Sequence, residues 1–420
     1  MINSVIASGI FGVPGELLKL LGRASPWAFV LGAVASSFIV TCYVEVASQF
    51  SAGGGPYLYI RSAFGRFLGI QAGWFAVLTP VAAAAAQANL FVNYFASFDE
   101  SLGAGVARAL VIAALIAVPV TVNLFGTAAG KQLSSVLVIA KLAPLLLLIA
   151  TGLFLTSRGT VAPPVHASVE SHSLHAWFTA ALLGVFGFGG FEDVLAATGE
   201  VKQPTRSVAF ALVVSLLTCA VIYVLIQCVT SAFLDRTTVG TRPLASLAVM
   251  LFGHAGGRFV AIAAMISTSG AIAATVLAIP RLTASMAQRG DLPSVLGSTT
   301  ARGGAPAVTT IIVGVIITLL AITGTFAWTL AVTAGSGLVV AAGVCAALPR
   351  LRSLQPNADK VVVPAGIAIA SVALAVIAVL LCQLEVWQAA ALLGIVVIGA
   401  MNWCLVRSPC TLRRTGKPSA

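Results

Sequence analysis

Apolar residues in this chain fall in long runs separated by short polar connections, without the brief alternating strands of a β-barrel. Twelve runs come close to the roughly 20 apolar residues that a bilayer requires. They predict membrane helices at approximately 2–22, 26–50, 67–97, 105–125, 133–155, 176–198, 207–232, 255–286, 307–323, 326–348, 361–382 and 386–406. The third and eighth runs are long, which implies tilt or extension along the interface. The pattern describes an all-α polytopic membrane protein.

Two runs are interrupted. The sixth carries Phe186-Gly187-Phe188-Gly189-Gly190-Phe191-Glu192 in its middle. Glycine costs about 1 kcal/mol per residue in a helix interior, so this cluster unwinds the helix. Unwound backbone in lipid survives only where it is buried in protein or lines a cavity. Broken helices of this kind hold substrate at the midplane of secondary transporters. Close packing of small residues is the alternative. Against it stands Glu192, an intramembrane acid, which is costly and usually functional. The first run reads Ala7-Ser8-Gly9-Ile10-Phe11-Gly12-Val13-Pro14-Gly15 and is also discontinuous. Interruptions at matching positions in two halves point to a binding site between inverted repeats. Residues 1–155 would form the first five-helix repeat and 176–348 the second, inverted one. Residues 361–406 would add two accessory helices and 407–420 a cytoplasmic tail. Six or seven residues before the first break cover about 10 Å of helix, less than the roughly 15 Å to the interface. The true start is therefore expected upstream of Met1.

Composition supports the membrane reading. Of 420 residues, 59% are hydrophobic and 8% charged, against about 25% charged in soluble domains. The net charge of +11 does not mark a nucleic-acid partner, because the basic residues sit in short loops. Fifteen of them fall on one side of the predicted topology and seven on the other, which places both termini in the cytoplasm. Seven cysteines include no Cys-x-x-Cys pair and read as buried small hydrophobes rather than a disulfide or metal set. Glu45, near the Gly53-Gly54-Gly55-Pro56 turn, reads as a structural ion-pair partner for a loop arginine. Lys141, in the fifth run, either snorkels toward the interface or faces the bundle as a fixed or titrating charge. His172 and His175 form a His-x-x-His pair in a loop that is more simply solvated than metal-binding. Ser267, Thr268 and Ser269 in the eighth run either coordinate a ligand or bond back to their own helix. Gly126 to Gln132 lacks the spacing of a phosphate loop, so neither ATP nor another cofactor is expected. Ser336, within Ala334-Gly335-Ser336-Gly337, has no intramembrane histidine to act as its base, so an enzyme is not expected.

With these residues in place, the chain resembles bacterial permeases of the amino acid–polyamine–organocation superfamily. Ala7-Ser8-Gly9-Ile10-Phe11 is similar to that family's Gly-Ser-Gly-Ile-Phe motif, with Ala7 replacing a glycine. Ala52-Gly53-Gly54-Gly55-Pro56-Tyr57 resembles its Ala-Gly-Gly-Pro-Tyr motif, with one extra glycine. The stretch from Phe186 to Arg206 is similar to its sixth helix and following loop, and Arg281 to Pro293 to a further signature. The resemblance implies a leucine-transporter-type 5+5 inverted repeat of twelve transmembrane helices, with helices 1 and 6 broken, working by alternating access. It implies that the substrate carboxylate meets backbone N–H groups at Ser8, Gly9 and Ile10. The α-ammonium would meet carbonyls at Phe186, Phe188 and Gly189, with the Phe186 ring closing over the substrate. It aligns Lys141 with a lysine that stands in a sodium position, which favours proton coupling or exchange, and Glu192 with an acid beside the site. The expected function is proton-coupled symport of neutral L-amino acids across the cytoplasmic (inner) membrane. The alternatives are an amino acid or amine exchanger, a cationic amino acid or polyamine permease, and a substrate-sensing receptor of the same fold. The expected partners are an amino acid, a proton or counter-substrate, and the lipid bilayer, with no nucleic acid.

Overall fold

The computed structural model describes residues 8–50, 55–125, 131–159, 173–191, 204–298, 306–354 and 361–407, of which Ser8, 131–141, 204–209 and Arg407 are described by backbone alone. Among the described residues every regular element is helical. In chain order, a 3₁₀ turn at Ser8–Phe11 leads into α1 (Val13–Leu21), followed by α2 (Pro26–Ala47), α3 (Gly55–Phe64), α4 (Arg66–Phe95) and α5 (Gly105–Leu124). Then come α6 (Lys131–Ser157), α7 (Leu174–Gly187), α8 (Pro204–Phe233) and α9 (Pro243–Gln288). The last four are α10 (Ala307–Thr323), α11 (Phe326–Leu354), α12 (Gly366–Leu381) and α13 (Val386–Arg407). Among the described residues seven helices, α2, α4, α5, α8, α9, α11 and α13, are long and apolar enough to cross a membrane, and shorter apolar helices lie in α6, α7, α10 and α12.

Side-chain size decides which helices are central. The run Val81 to Ala88 of α4 is almost all alanine, and small side chains let neighbours come close. Helix α4 packs between α9 and α11, with α3 and α13 also against it. Helices α5 and α13 lie outside and turn large apolar residues outward, among them Val106, Leu110, Val118, Leu393 and Met401. In water such a surface would be a liability; in a bilayer it is the solvent-facing side. The main core joins α1, α2, α7, α8, α11 and α12, and a second core fills the space between α4, α5, α9 and α10.

The element bounds follow the hydrophobic runs, with two departures. Helix α3 stands apart as a short amphipathic helix where only a turn was expected; residues 51–54 of that motif lie outside the described residues. Helix α9 begins at Pro243, well before the expected residue 255, because Gly253 at φ +72° and ψ −172° joins a preceding helix to it across a kink. Cys42, Cys219 and Cys345 are buried as expected, but Cys382, just past the end of α12, and Cys404 on α13 are exposed. Thr268 and Ser269 donate to the carbonyls of Ala264 and Ile266, at 2.9 and 3.0 Å, so these two hydroxyls bond back to their own helix.

Candidate functional site

Glycine makes both breaks. In the first, the Gly12 N–H donates to the Gly9 carbonyl at 2.9 Å and the Gly15 N–H to the Gly12 carbonyl at 3.0 Å. One tight 3₁₀ turn thus hands over to α1, whose first turn tolerates Pro14 because a proline there removes no helical hydrogen bond. In the second, α7 ends at Gly187, and the N–H groups of Phe188 and Gly189 donate to the carbonyls of Val185 and Phe186 at 3.0 Å each. Gly190 then takes φ +90°, where a side chain would be strained.

The two breaks touch. A Cβ placed on Gly9 would stand 2.5 Å from Cε1 of Phe186, so the absence of a side chain at Gly9 is what admits the ring. Phe186 is 8% exposed, and Ile10 is buried beside the same turn. Around Gly12 the neighbours are Phe326 and Leu90, whose ring and methyl carbons would lie 2.5 and 2.9 Å from an added Cβ. Tyr94 of α4 donates its hydroxyl to the Phe11 carbonyl at 2.7 Å, which fixes the turn from the side. Neither Tyr94 nor Phe326 was singled out from the sequence, although the small size of Gly12 was a signal that a bulky neighbour approaches there.

The three phenylalanines of the second break diverge. Phe188 is fully buried, its ring 6.4 Å from that of Phe29 and 5.4 Å from that of Tyr223. Phe191 meets Tyr43 edge-on at 5.0 Å. Of the three rings, Phe186 alone faces the first break; Phe188 packs against α2 and α8, and Phe191 against α2. Ser8 belongs by its backbone to the 3₁₀ turn, and Lys141 by its backbone to α6. Glu192 lies outside the described residues.

A cavity of about 600 Å³ opens at the end of the bundle that carries Gln383. Glu16, Lys19, Thr179, Leu183, Trp328 and Gln388 are among its lining residues. Leu183 is one turn along α7 from Phe186, so the cavity reaches to within a turn of the break. Lys19 pairs with Glu16 at 2.9 Å on its wall. His175 is exposed, its Nδ1 2.8 Å from Gln383 Oε1, and its sequence partner His172 lies outside the described residues.

The opposite end is held by two buried carboxylates. Glu45 of α2 takes both guanidinium branches of Arg352 on α11, with Nη2 at 2.7 Å from Oε2. The Val363 N–H donates to the same Oε2 at 3.1 Å. The ion pair expected for Glu45 is present and is structural. Asp291, in the connection after α9, accepts from Arg66 Nε at 2.8 Å and from the Tyr57 hydroxyl. Arg61 Nε lies 2.8 Å from Oδ2 as a charge contact without hydrogen-bond alignment. Asn402 of α13 donates to the Asp291 carbonyl at 2.8 Å. Burial, and then the bond to Asp291, push the Tyr57 phenol above its ordinary pKa, so it stays a donor. Asp291 was noticed only as part of a motif; its partners come from α3 and α4, far away in sequence.

Comparison with known proteins gives a consistent result. A family model described as amino acid permease matches residues 1–401. The serine/threonine exchanger SteT of Bacillus subtilis is 28% identical over 301 residues, covering 70% of this chain and 67% of that protein. The branched-chain amino acid permease BcaP of the same organism is 27% identical over 244 residues, covering 54% of this chain and 51% of BcaP. The glutamate/serine transporter AimA, also from B. subtilis, is 30% identical over 250 residues, covering 54% and 44%. The matched stretch covers about two thirds or less of the length of each of these relatives.

Proposed function

The chain belongs to the amino acid permease family, and from that premise we propose that it is a secondary transporter moving neutral L-amino acids across the cytoplasmic membrane by alternating access. The observation that carries the reading is the meeting of the two breaks, with Gly9 against Phe186. In this proposal the first break offers N–H groups of Ser8, Gly9 and Ile10 to the substrate carboxylate. Backbone amides at a helix break suit an anion. The second break offers the carbonyls of Phe186, Phe188 and Gly189 to the ammonium; the Phe186 carbonyl already accepts from Gly189 N–H and keeps a second lone pair. The Phe186 ring separates substrate from the cavity at the Gln383 end. That end would face outward and the arginine-rich Asp291 end inward, with both termini in the cytoplasm. The interrupted first helix and the apolar helices that follow would make twelve spans in two inverted repeats of five plus two accessory helices.

Proton coupling is the preferred energy source, with Lys141 as the titrating group and Glu192 as the acid beside the site. Exchange is the second reading, favoured by the name of the relative SteT. Neutral substrates are supported by the names of SteT and BcaP.

The test is radiolabelled amino-acid uptake into proteoliposomes under an imposed pH gradient, with and without sodium. Uptake driven by the gradient is the expected result. Uptake only with amino acid preloaded inside would replace symport by exchange, and no uptake under any condition would end the transport reading.

A further inference from the structure

Helix α4 carries an amide that the fold does not use. Gln87 is 7% exposed, and its Oε1 has no hydrogen-bond partner among the described residues. A buried polar atom without a partner is rare in native proteins and calls for a specific account. Its place on the helix supplies one. Leu90, three residues on, is the side chain that meets Gly12 in the first break. Tyr94, seven residues on, holds the Phe11 carbonyl. Positions three, four and seven apart share a helix face. Ala83 and Leu90, on one flank of Gln87, pack into the apolar core that holds Ile10, Phe11 and Phe186. Ala84 and Phe91, on the other flank, pack with Ile272 and Val276 of α9. Gln87 therefore lies at the seam between the first break and α9. The Ser8–Phe11 turn packs against both α4 and α9 at this seam, and the hydroxyls of Thr268 and Ser269 are spent on their own helix.

We infer that Gln87 determines substrate specificity by hydrogen-bonding the side-chain hydroxyl of a small neutral amino acid held between the breaks. The inference rests on the transport reading above and adds to it the side-chain chemistry. An amide accepts and donates from one group, as a hydroxyl does. A methyl in the same place leaves the buried amide oxygen unpaired. Threonine and valine differ by that one replacement at nearly constant shape, so their ratio isolates the contact from packing.

The experiment is competition by unlabelled threonine and valine against radiolabelled alanine uptake, in proteoliposomes of the full chain. In the wild type, threonine should compete roughly tenfold or more better than valine. In Gln87→Met the two should compete about equally against the alanine uptake that remains, and Gln87→Asn, which keeps a retracted amide, should retain part of the preference. A wild type that does not separate threonine from valine overturns the inference whatever the variants do. An unchanged ratio in Gln87→Met overturns it too, as does equal weakening of every substrate in both variants. Absence of any amino-acid uptake by the wild type would instead remove the transport reading itself.

Discussion

At the scale of single residues, the site depends on a hydrogen atom in place of a side chain. Gly9→Ala would set a methyl carbon 2.5 Å from the Phe186 ring. The ring or the turn must move, and overpacking of this kind costs about 1–3 kcal/mol. Substrate binding should weaken by roughly tenfold or more, since about 1.4 kcal/mol is tenfold. Phe186→Leu in the same chain should restore part of the loss; equal affinity in wild type and Gly9→Ala would show that the ring is not part of the site. Lys141→Ala should abolish proton-driven accumulation and leave exchange of preloaded substrate, and unchanged accumulation would remove Lys141 from coupling. These positions were legible in the sequence because glycine within an apolar run, or a lysine within one, contradicts its surroundings. The directions of Phe188 and Phe191 were not legible. A helix or strand has a period that assigns faces, and an unwound segment has none.

At the scale of elements, the glycines of α7 divide between two tasks that the sequence presents as alternatives. Gly184 is a packing residue. A Cβ there would stand 2.5 Å from the Ala28 carbonyl oxygen, and one on Gly32 would stand 2.6 Å from the Gly184 carbonyl carbon. Helices α2 and α7 therefore cross backbone to backbone, and no rotamer change can make room. Gly189 and Gly190 belong to the break, where among the described residues an added Cβ at Gly189 meets only the Phe186 carbonyl, at 3.3 Å. The two kinds of glycine should separate in experiment. Gly184→Val should lower thermal stability in detergent by several degrees and reduce yield, because backbone must move. Gly189→Leu should insert with near-normal stability and lose substrate binding. If the stability losses are the same for both, or Gly189→Leu binds normally, the division fails. The helices themselves were legible because a bilayer demands about 20 apolar residues at once. Helix α3 was not, since its ten residues are amphipathic and begin Gly55-Pro56, a turn signature in sequence. The kink at Gly253 was hidden because Gly253-His254-Ala255-Gly256-Gly257-Arg258 reads as a polar connection before a helix, not as a bend within one.

At the scale of the whole molecule, the two buried carboxylates make different connections. Asp291 gathers α3, α4 and α13 around the end of α9. Three of these four, α3, α9 and α13, already pack on α4, so the Asp291 network holds one unit together. Glu45 sits on α2, which packs on α7 and so follows the second break, and its partners Arg352 and Val363 lie on α11 and just before α12. Alternating access, as proposed, moves the helix that carries the second break against the rest; on that reading the Glu45 pair ties α2, which packs on α7 and also on α11 and α12, across the joint, and the Asp291 network stays on one side of it. Removing either carboxylate leaves arginines that are 23–37% exposed and reach water, so the cost falls below the roughly 3–5 kcal/mol of a fully buried pair. Both Glu45→Gln and Asp291→Asn should therefore lower thermal stability. Only Glu45→Gln should also change the maximal transport rate, because it alters the balance between two arrangements of the molecule. Pairing it with Arg352→Met should recover stability by removing the stranded cation, while the altered rate remains. The measurement is a thermal midpoint in detergent beside initial uptake rates at saturating substrate. A rate change in Asp291→Asn equal to that in Glu45→Gln would mean that both carboxylates serve only to hold the end of the bundle together.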